Sequence, residues 1–138
     1  MNIDVLEKAL LSLKEALSVF AADNTNTIVR DSVIQRYEYT FELVNKILRR
    51  FLMQMETDRQ TVSEMFFTEI IRLCNKRGLL LNDIEKWNVY RKMRNLTSHT
   101  YDEFNADEAV LIIPDFITEV EFAINKMKEH LNNEPDSN

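Results

Sequence analysis

Turn-forming residues are scarce in this chain, which has one glycine and two prolines among 138 residues. Average proteins contain roughly 7% glycine and 5% proline. Hairpins and strand-rich folds depend on such residues at their turns, so their scarcity disfavours a β fold. We therefore predict an all-α fold of one domain. The expected architecture is an antiparallel up-and-down helical bundle with four main helices plus a short peripheral one.

The second predicted helix, from about Thr27 to about Met55, has a broad apolar face. Its apolar residues advance by alternating steps of three and four, and further apolar positions widen this seam. A face this broad indicates more than one neighbouring helix. Polar residues line another face at helical spacing, namely Asp31, Gln35, Glu38, Glu42, Asn45 and Arg49. This stripe is either a solvated surface or one wall of a polar cleft.

Capping and turn signals bound the first and third predicted helices. The first helix is expected to begin near Asp4, which would form a capping box with Glu7. The third is expected to begin at a second capping box, formed by Thr61 and Glu64, and to run unbroken to the residue before Gly78.

The second half of the chain contains two further predicted helices. Asn82 or Asp83 would cap the fourth helix, and Asn105 would begin the last one. Pro114 lies inside the last helical pattern, so we expect a kink or break near Ile113. The helical domain is predicted to cover residues 1–131, followed by a flexible C-terminal tail, 132–138.

The chain is acidic, with a formal net charge of −6. A general nucleic-acid coat would be basic, so any contact with RNA would require a local basic patch. Cys74 is the only cysteine; it is expected to be a buried apolar residue, and an intramolecular disulfide is excluded. No apolar run approaches the roughly 20 residues that cross a bilayer. The N-terminus does not resemble a signal peptide. We expect a cytoplasmic protein that does not enter the membrane.

The segment from Trp87 to Glu103 concentrates the residues that can carry chemistry. The histidines and the cysteine lack zinc-ligand spacing and no glycine-rich phosphate loop occurs, so we predict neither a metal nor another cofactor. Arg94 can grip a phosphate with help from Asn95, and His99 can transfer a proton near neutral pH. On a continuous helix, Arg94 and His99 point about 140° apart. They converge only if the helix ends or tightens near Ser98, or if the site spans two subunits. Alternatively, His99 caps the helix and Arg94 pairs with an acidic residue.

The same segment resembles the Arg-x4-His-x-Tyr motif of HEPN domains (higher eukaryote and prokaryote nucleotide-binding), with Arg94, His99 and Tyr101 at the motif positions. More closely, the chain resembles the nucleotidyltransferase substrate-binding protein family within that superfamily. Two stretches carry this resemblance, RDSVIQRYEYTFELVNK at 30–46 and MRNLTSHTYDE at 93–103. Asn45 departs from the pattern, because relatives usually have tryptophan there.

The resemblance implies a helical homodimer whose motif residues line a cleft at or near the subunit junction. It also implies a partner, a small and separately encoded nucleotidyltransferase. In related pairs the helical protein is a toxin-like ribonuclease, and its partner silences it by transferring AMP to the motif tyrosine, which is Tyr101 here. An older view of the family is a domain that binds the substrate of the transferase.

Three functions therefore stay open. The first, our leading prediction, is a helical partner subunit of a two-component nucleotidyltransferase system that binds nucleotide or substrate and accepts AMP on Tyr101. The second is a metal-independent ribonuclease, the toxin of a toxin–antitoxin pair, in which Arg94, Asn95 and His99 act on RNA. The third is a helical interaction protein with a vestigial motif. The acidic balance favours the first function, and the intact motif favours the second.

Overall fold

The computed structural model describes residues 2–99 and 103–133, and within these ranges the chain forms helices and no strand. The helices are α1 (Ile3–Ala22), α2 (Thr27–Met55), α3 (Arg59–Ser63), α4 (Phe67–Lys76), α5 (Ile84–His99) and α6 (Glu103–Asn133). Helices α1, α2, α5 and α6 pack together as the bundle, while α3 packs on α2 and α4 packs on α2 and α5. The predicted all-α bundle is confirmed, and the peripheral part is the region after α2.

Helix α2 begins and ends where its sequence pattern predicts. The side-chain oxygen of Asn26 accepts hydrogen bonds from the backbone N–H groups of Ile28 (3.1 Å) and Val29 (3.2 Å). This cap supplies acceptors for N–H groups that have no partner inside the helix. The broad apolar face of α2 is buried against α1 on one side and against α5 and α6 on another.

The prediction of one unbroken third helix is wrong, because the chain turns between α3 and α4. Asp58 rather than Thr61 occupies the N-cap; its carboxylate accepts from the backbone N–H (3.0 Å) and hydroxyl (2.6 Å) of Thr61. Arg49 of α2 then donates to the carbonyls of Val62 (3.2 Å) and Met65 (2.6 Å) at the turn. These contacts satisfy carbonyls that a continuous helix would have paired internally, so the break is stable.

Helix α1 begins close to its predicted start, but its predicted cap and part of the prediction for α6 are wrong. The capping box of Asp4 and Glu7 is wrong, since α1 begins at Ile3, a buried residue preceded by Asn2 in the cap position. Helix α6 runs through Pro114 without ending, so of the predicted kink or break the break is wrong and the kink stays a prediction. It also begins at Glu103, before the expected start.

Aromatic rings form the centre of the bundle where α2, α5 and α6 meet. The Tyr37 ring packs edge-on against Phe116 with centroids 4.9 Å apart, and its buried hydroxyl donates to the carbonyl of Tyr90 at 2.6 Å. Burial raises the pKa of the Tyr37 hydroxyl well above its usual range. Trp87 and Phe41 complete the cluster. This core fixes the orientation of α5 about its own axis. It therefore also fixes the direction in which the exposed side chains of α5 point.

A buried carboxylate ties the connection before α5 to the bundle. Glu119 of α6 is fully buried and accepts three hydrogen bonds, from Leu81 N–H (3.0 Å), Asn82 N–H (3.1 Å) and the Trp87 indole N–H (2.7 Å). Burial raises the pKa of Glu119, and the three donors oppose that shift. Glu119 therefore anchors the Leu81–Asn82 connection and the first turns of α5 together.

Other sequence predictions hold at single positions. Cys74 is fully buried, and burial raises the pKa of its thiol to about 12. Gly78 follows α4 with a positive φ of 75°, the left-handed conformation that favours glycine after a helix. Asp83 accepts from the Glu85 N–H at 3.1 Å at the start of α5. Among the described helices, none is long and apolar enough to cross a membrane.

Candidate functional site

Helix α5 presents Arg94 and Asn95 on the surface that faces α2. One terminal nitrogen of the Arg94 guanidinium pairs with the carboxylate of Glu42, and the other donates to the side-chain oxygen of Asn95 at 3.2 Å. The Arg94 Nε is buried and has no hydrogen-bond partner in the described part of the chain. A buried guanidinium N–H normally has an acceptor. Arg94 is thus held in place by two neighbours while one donor remains unsatisfied.

Arg94 lies at one end of an open groove of about 680 Å³ between α2, α4 and α5. The groove has an apolar floor and a polar rim, and the floor residues are Phe41, Met53, Phe67 and Ile70. The rim residues are Glu42, Asn45, Lys46, Arg49, Arg50, Arg91, Arg94 and Asn95. Five cations and one carboxylate give the lining a formal charge of +4, although the whole chain carries −6. This is the local basic patch that contact with RNA would require.

The cations of this basic groove differ in the contacts that they already make within the protein. Lys46 and Arg50 are exposed, lie four residues apart on α2, and have no acidic partner among residues 2–99 and 103–133. Arg91 is exposed and its guanidinium carbon lies 4.8 Å from the centre of the Phe67 ring. Arg49 is occupied by the carbonyls between α3 and α4. Lys46, Arg50 and Arg91 are therefore the groove cations that no carboxylate or carbonyl oxygen of the described residues engages.

The second half of the predicted polar stripe of α2 reaches this groove, with Glu42, Asn45 and Arg49 in its lining. Glu42 lines the groove, whereas Gln35 lies in a separate depression beside α1, together with Arg36 and Tyr39. Asp31 lies 3.5 Å from the guanidinium of Arg30, and neither Asp31 nor Glu38 lines the groove. Residues 31 and 42 share a face of α2, but they are about 16 Å apart along its axis. The second half of the stripe therefore lines the groove that contains Arg94, and the first half does not.

The remaining motif residues lie at the edge of the described chain. Helix α5 is continuous to His99, so positions 94 and 99 are separated by about 140° around its axis. The side chain of His99 and the whole of Tyr101 lie outside the described residues. Their predicted roles as proton-transfer residue and AMP acceptor stay predictions. The described part of α5 ends at His99, one residue past Ser98, so both routes to convergence stay predictions: a helix that ends or tightens near Ser98, and a site that spans two subunits.

The groove residues missed from sequence include Lys46, Arg50 and Phe67. Lys46 and Arg50 share a helix face because they are four residues apart, and this spacing was the available signal. The sequence pattern places Phe67 inside an unbroken helix, which gives no indication of its approach to α5. Asn45 lies in the same groove and donates to the carbonyl of Phe41 at 2.8 Å. A tryptophan at position 45 would fill part of the space that the groove occupies here.

Comparison with known proteins places this geometry in a family. Residues 1–129 match the family model described as nucleotidyltransferase substrate binding protein like. The chain belongs to this family. A curated member from Haemophilus influenzae, named "Probable ribonuclease HepT", is 32% identical over 137 residues, which cover 94% of this chain and 93% of that protein.

Solved structures of relatives share the family fold. A Haemophilus influenzae protein, described as revealing the fold of a substrate binding domain of a nucleotidyltransferase, superposes with a TM-score of 0.85 at 30% identity. The match covers 92% of this chain and 99% of that one. A Thermus thermophilus protein superposes with a TM-score of 0.72 at 31% identity over 88% of this chain and 98% of its own. The bundle described above is therefore the fold of the family.

Proposed function

We propose that this chain is a metal-independent ribonuclease whose substrate is bound by the basic groove around Arg94. The observation that carries this proposal is the reversal of charge, because the groove lining carries +4 on a chain of −6. Such a concentration of cations binds the phosphate backbone of nucleic acid. The name of the relative from Haemophilus influenzae, a probable ribonuclease, supports the same reaction class.

The proposed reaction uses the RNA itself as nucleophile. The ribose 2′-hydroxyl attacks the adjacent phosphorus, an O2′–P bond forms, and the bond from phosphorus to the 5′ oxygen breaks. The products are a 2′,3′-cyclic phosphate and a new 5′-hydroxyl. Arg94 would bind the phosphate oxygens, whose charge grows as the pentavalent intermediate forms. His99 would take the proton of the 2′-hydroxyl while water gives one to the departing 5′ oxygen, or His99 would protonate the 5′ oxygen while water takes the 2′ proton.

We further propose that the reacting groups come from two copies of the chain. Positions 94 and 99 lie about 140° apart around α5. A second copy packed near the end of α5 would bring its own His99 toward the Arg94 groove of the first. A homodimer with a shared cleft follows, and each cleft would contain an arginine from one subunit and a histidine from the other.

Cleavage without metal is the first expected result. Incubated with a mixed-sequence single-stranded RNA in excess EDTA, the purified chain should produce fragments that end in a cyclic phosphate, because no step of the proposed reaction needs a metal ion. Gel electrophoresis and mass spectrometry of the fragments measure this. Cleavage must follow the protein peak across a gel-filtration column, which separates it from contaminating nuclease. Intact RNA after long incubation at micromolar protein would contradict the proposal.

The family description supports a second candidate function, that of partner to a nucleotidyltransferase. In this function a small transferase moves AMP from ATP to the hydroxyl of Tyr101; a phosphorus–oxygen bond forms at the tyrosine, and pyrophosphate leaves. The adduct would bring negative charge to the basic groove and would silence a ribonuclease there. The two proteins would then act as a cytoplasmic toxin–antitoxin pair.

Intact mass tests this second function directly. After incubation with the transferase and ATP, the chain should gain the mass of one or more AMP groups, whereas a Tyr101→Phe variant should gain none. The other tyrosines provide the internal control: Tyr39 is exposed, and Tyr37 and Tyr90 are buried in the core. An adduct on the Tyr101→Phe chain would remove Tyr101 as the acceptor. A Tyr39→Phe variant should be modified as fully as the natural chain.

A further inference from the structure

We propose that the basic groove is a binding site for single-stranded RNA beside the cleaved bond, with a stacking platform made by Phe67 and Arg91 and phosphate contacts made by Lys46 and Arg50. This inference rests on the proposed ribonuclease function and specifies its substrate class. It assigns a binding role to four residues that lie outside the Arg-x4-His-x-Tyr motif.

The floor of the groove is suited to a base. Phe67, the first residue of α4, is partly exposed to the groove, and its ring centroid lies 6.1 Å from that of the buried Phe41. Phe41 therefore supports Phe67 from below and limits its movement. Nucleotide bases stack on aromatic rings in a manner that tolerates any sequence. A base stacked on Phe67 would displace the water that otherwise contacts this apolar surface.

Arg91 completes the platform from the side of α5. Its guanidinium already lies 4.8 Å from the centre of the Phe67 ring, and its side chain is otherwise exposed. A planar guanidinium stacks on aromatic rings and on bases, while its edge donates to phosphate. Arg91 lies one helical turn before Arg94, at a distance of about 4.5 Å along the helix axis. A nucleotide on the platform would thus adjoin the phosphate held by Arg94.

Lys46 and Arg50 lie on the opposite rim, on α2. They are exposed, and the described part of the chain supplies no acidic partner for either. Their spacing of four residues places them about 6 Å apart along the helix. Successive phosphates of an extended strand are separated by a similar distance. The two cations can therefore contact consecutive phosphates while the base between them turns toward the floor.

The combination of floor and rim favours single strands over duplexes. In an RNA duplex the bases are stacked on each other and paired, so their faces cannot reach an aromatic floor. A duplex would meet the rim cations and would leave Phe67 unused. Single-strand binding proteins combine a cationic groove with aromatic platforms in this way. The substrate class assigned by the groove is single-stranded RNA or an unpaired loop.

The test measures binding apart from cleavage. A His99→Ala chain serves as the parent, and fluorescence anisotropy follows a labelled 12-nucleotide single strand and a hairpin duplex of equal charge. Lys46→Ala with Arg50→Ala should weaken single-strand binding at least about tenfold and should lower the slope of log affinity against log salt by about 1.4. Phe67→Leu should weaken it at least about fivefold with the salt slope unchanged. Arg91→Ala should reduce both affinity and slope.

The matched control removes two cations at the same spacing on a neighbouring helix. Arg72 and Lys76 are exposed on α4 and do not line the groove, so Arg72→Ala with Lys76→Ala should bind the single strand nearly as the parent does. Circular dichroism melting establishes that every variant is folded. Groove variants that bind like this control would overturn the proposal, as would equal loss of affinity for the duplex and the single strand. If the natural chain binds RNA strongly through the groove but cleaves none, the proposed ribonuclease activity is refuted and the proposed binding site is supported.

Discussion

Replacing Arg94 with alanine is expected to slow RNA cleavage at least about 100-fold, since one donor to a developing oxyanion contributes a factor of this size. Arg94 is the motif residue of α5 that lines the groove. Its guanidinium is already oriented by Glu42 and Asn95. The loss should appear mainly in kcat, because the groove retains its other cations for binding. Single-turnover cleavage at saturating protein measures this step.

Three further variants make that prediction sharper. Arg94→Lys keeps the charge and loses the planar fork, so it should recover little of the rate. Arg72→Ala removes the same charge from the exposed face of α4, outside the groove, and should cleave at nearly the natural rate. His99→Ala should lose cleavage as severely as Arg94→Ala, because proton transfer contributes about 100-fold or more. Full activity in either alanine variant would remove that residue from the reaction.

Replacing Glu119 with alanine is expected to lower the free energy of unfolding by about 3–5 kcal/mol. The change leaves three buried donors without an acceptor, on Leu81, Asn82 and Trp87. Each buried unsatisfied donor costs about 1–3 kcal/mol, and local rearrangement would recover part of the sum. Urea unfolding followed by far-ultraviolet circular dichroism gives the free energy. Since small proteins have only about 5–15 kcal/mol in total, this variant would be close to unfolding.

A second glutamate on the same helix provides the comparison. Glu121 forms an exposed ion pair with Lys14 at 3.3 Å, so Glu121→Ala should lower the free energy of unfolding by less than about 1 kcal/mol. Glu119→Gln should lie between the two, because an amide oxygen can still accept two of the three hydrogen bonds. If Glu119→Ala and Glu121→Ala were equally stable, the anchoring role of Glu119 would be refuted.

The long helices were predictable because their sequence signals are local and repeated. The seam of α2 extends over eight turns, and the scarcity of glycine and proline excludes competing turns along it. The break between α3 and α4 was not predictable from the capping pattern alone. It depends on Arg49, which lies on another helix and supplies the donors that the turn requires. Contacts between distant segments leave no periodic signal in a single sequence.

The candidate site, like the fold, was predictable from the sequence only in part. Arg94 and Asn95 were identified because the motif is contiguous, and the requirement for a local basic patch followed from the net charge of −6. The composition of that patch was not foreseen, since Lys46 and Phe67 belong to separate helices and meet Arg91 only in the folded chain. Gln35 illustrates the opposite error, because helical spacing placed it on the stripe but could not show that α1 lies beside it.

The uneven distribution of charge also has a kinetic consequence. With +4 in the groove and −6 overall, the rest of the chain carries a formal charge of −10, so the groove is a positive site on an otherwise acidic chain. An RNA strand would be repelled by the acidic part of the surface and attracted by the groove. The field would therefore turn the protein groove-first before contact and reduce the number of unproductive encounters. The acidic surface outside the groove would therefore narrow the range of angles from which a polyanion can approach this protein.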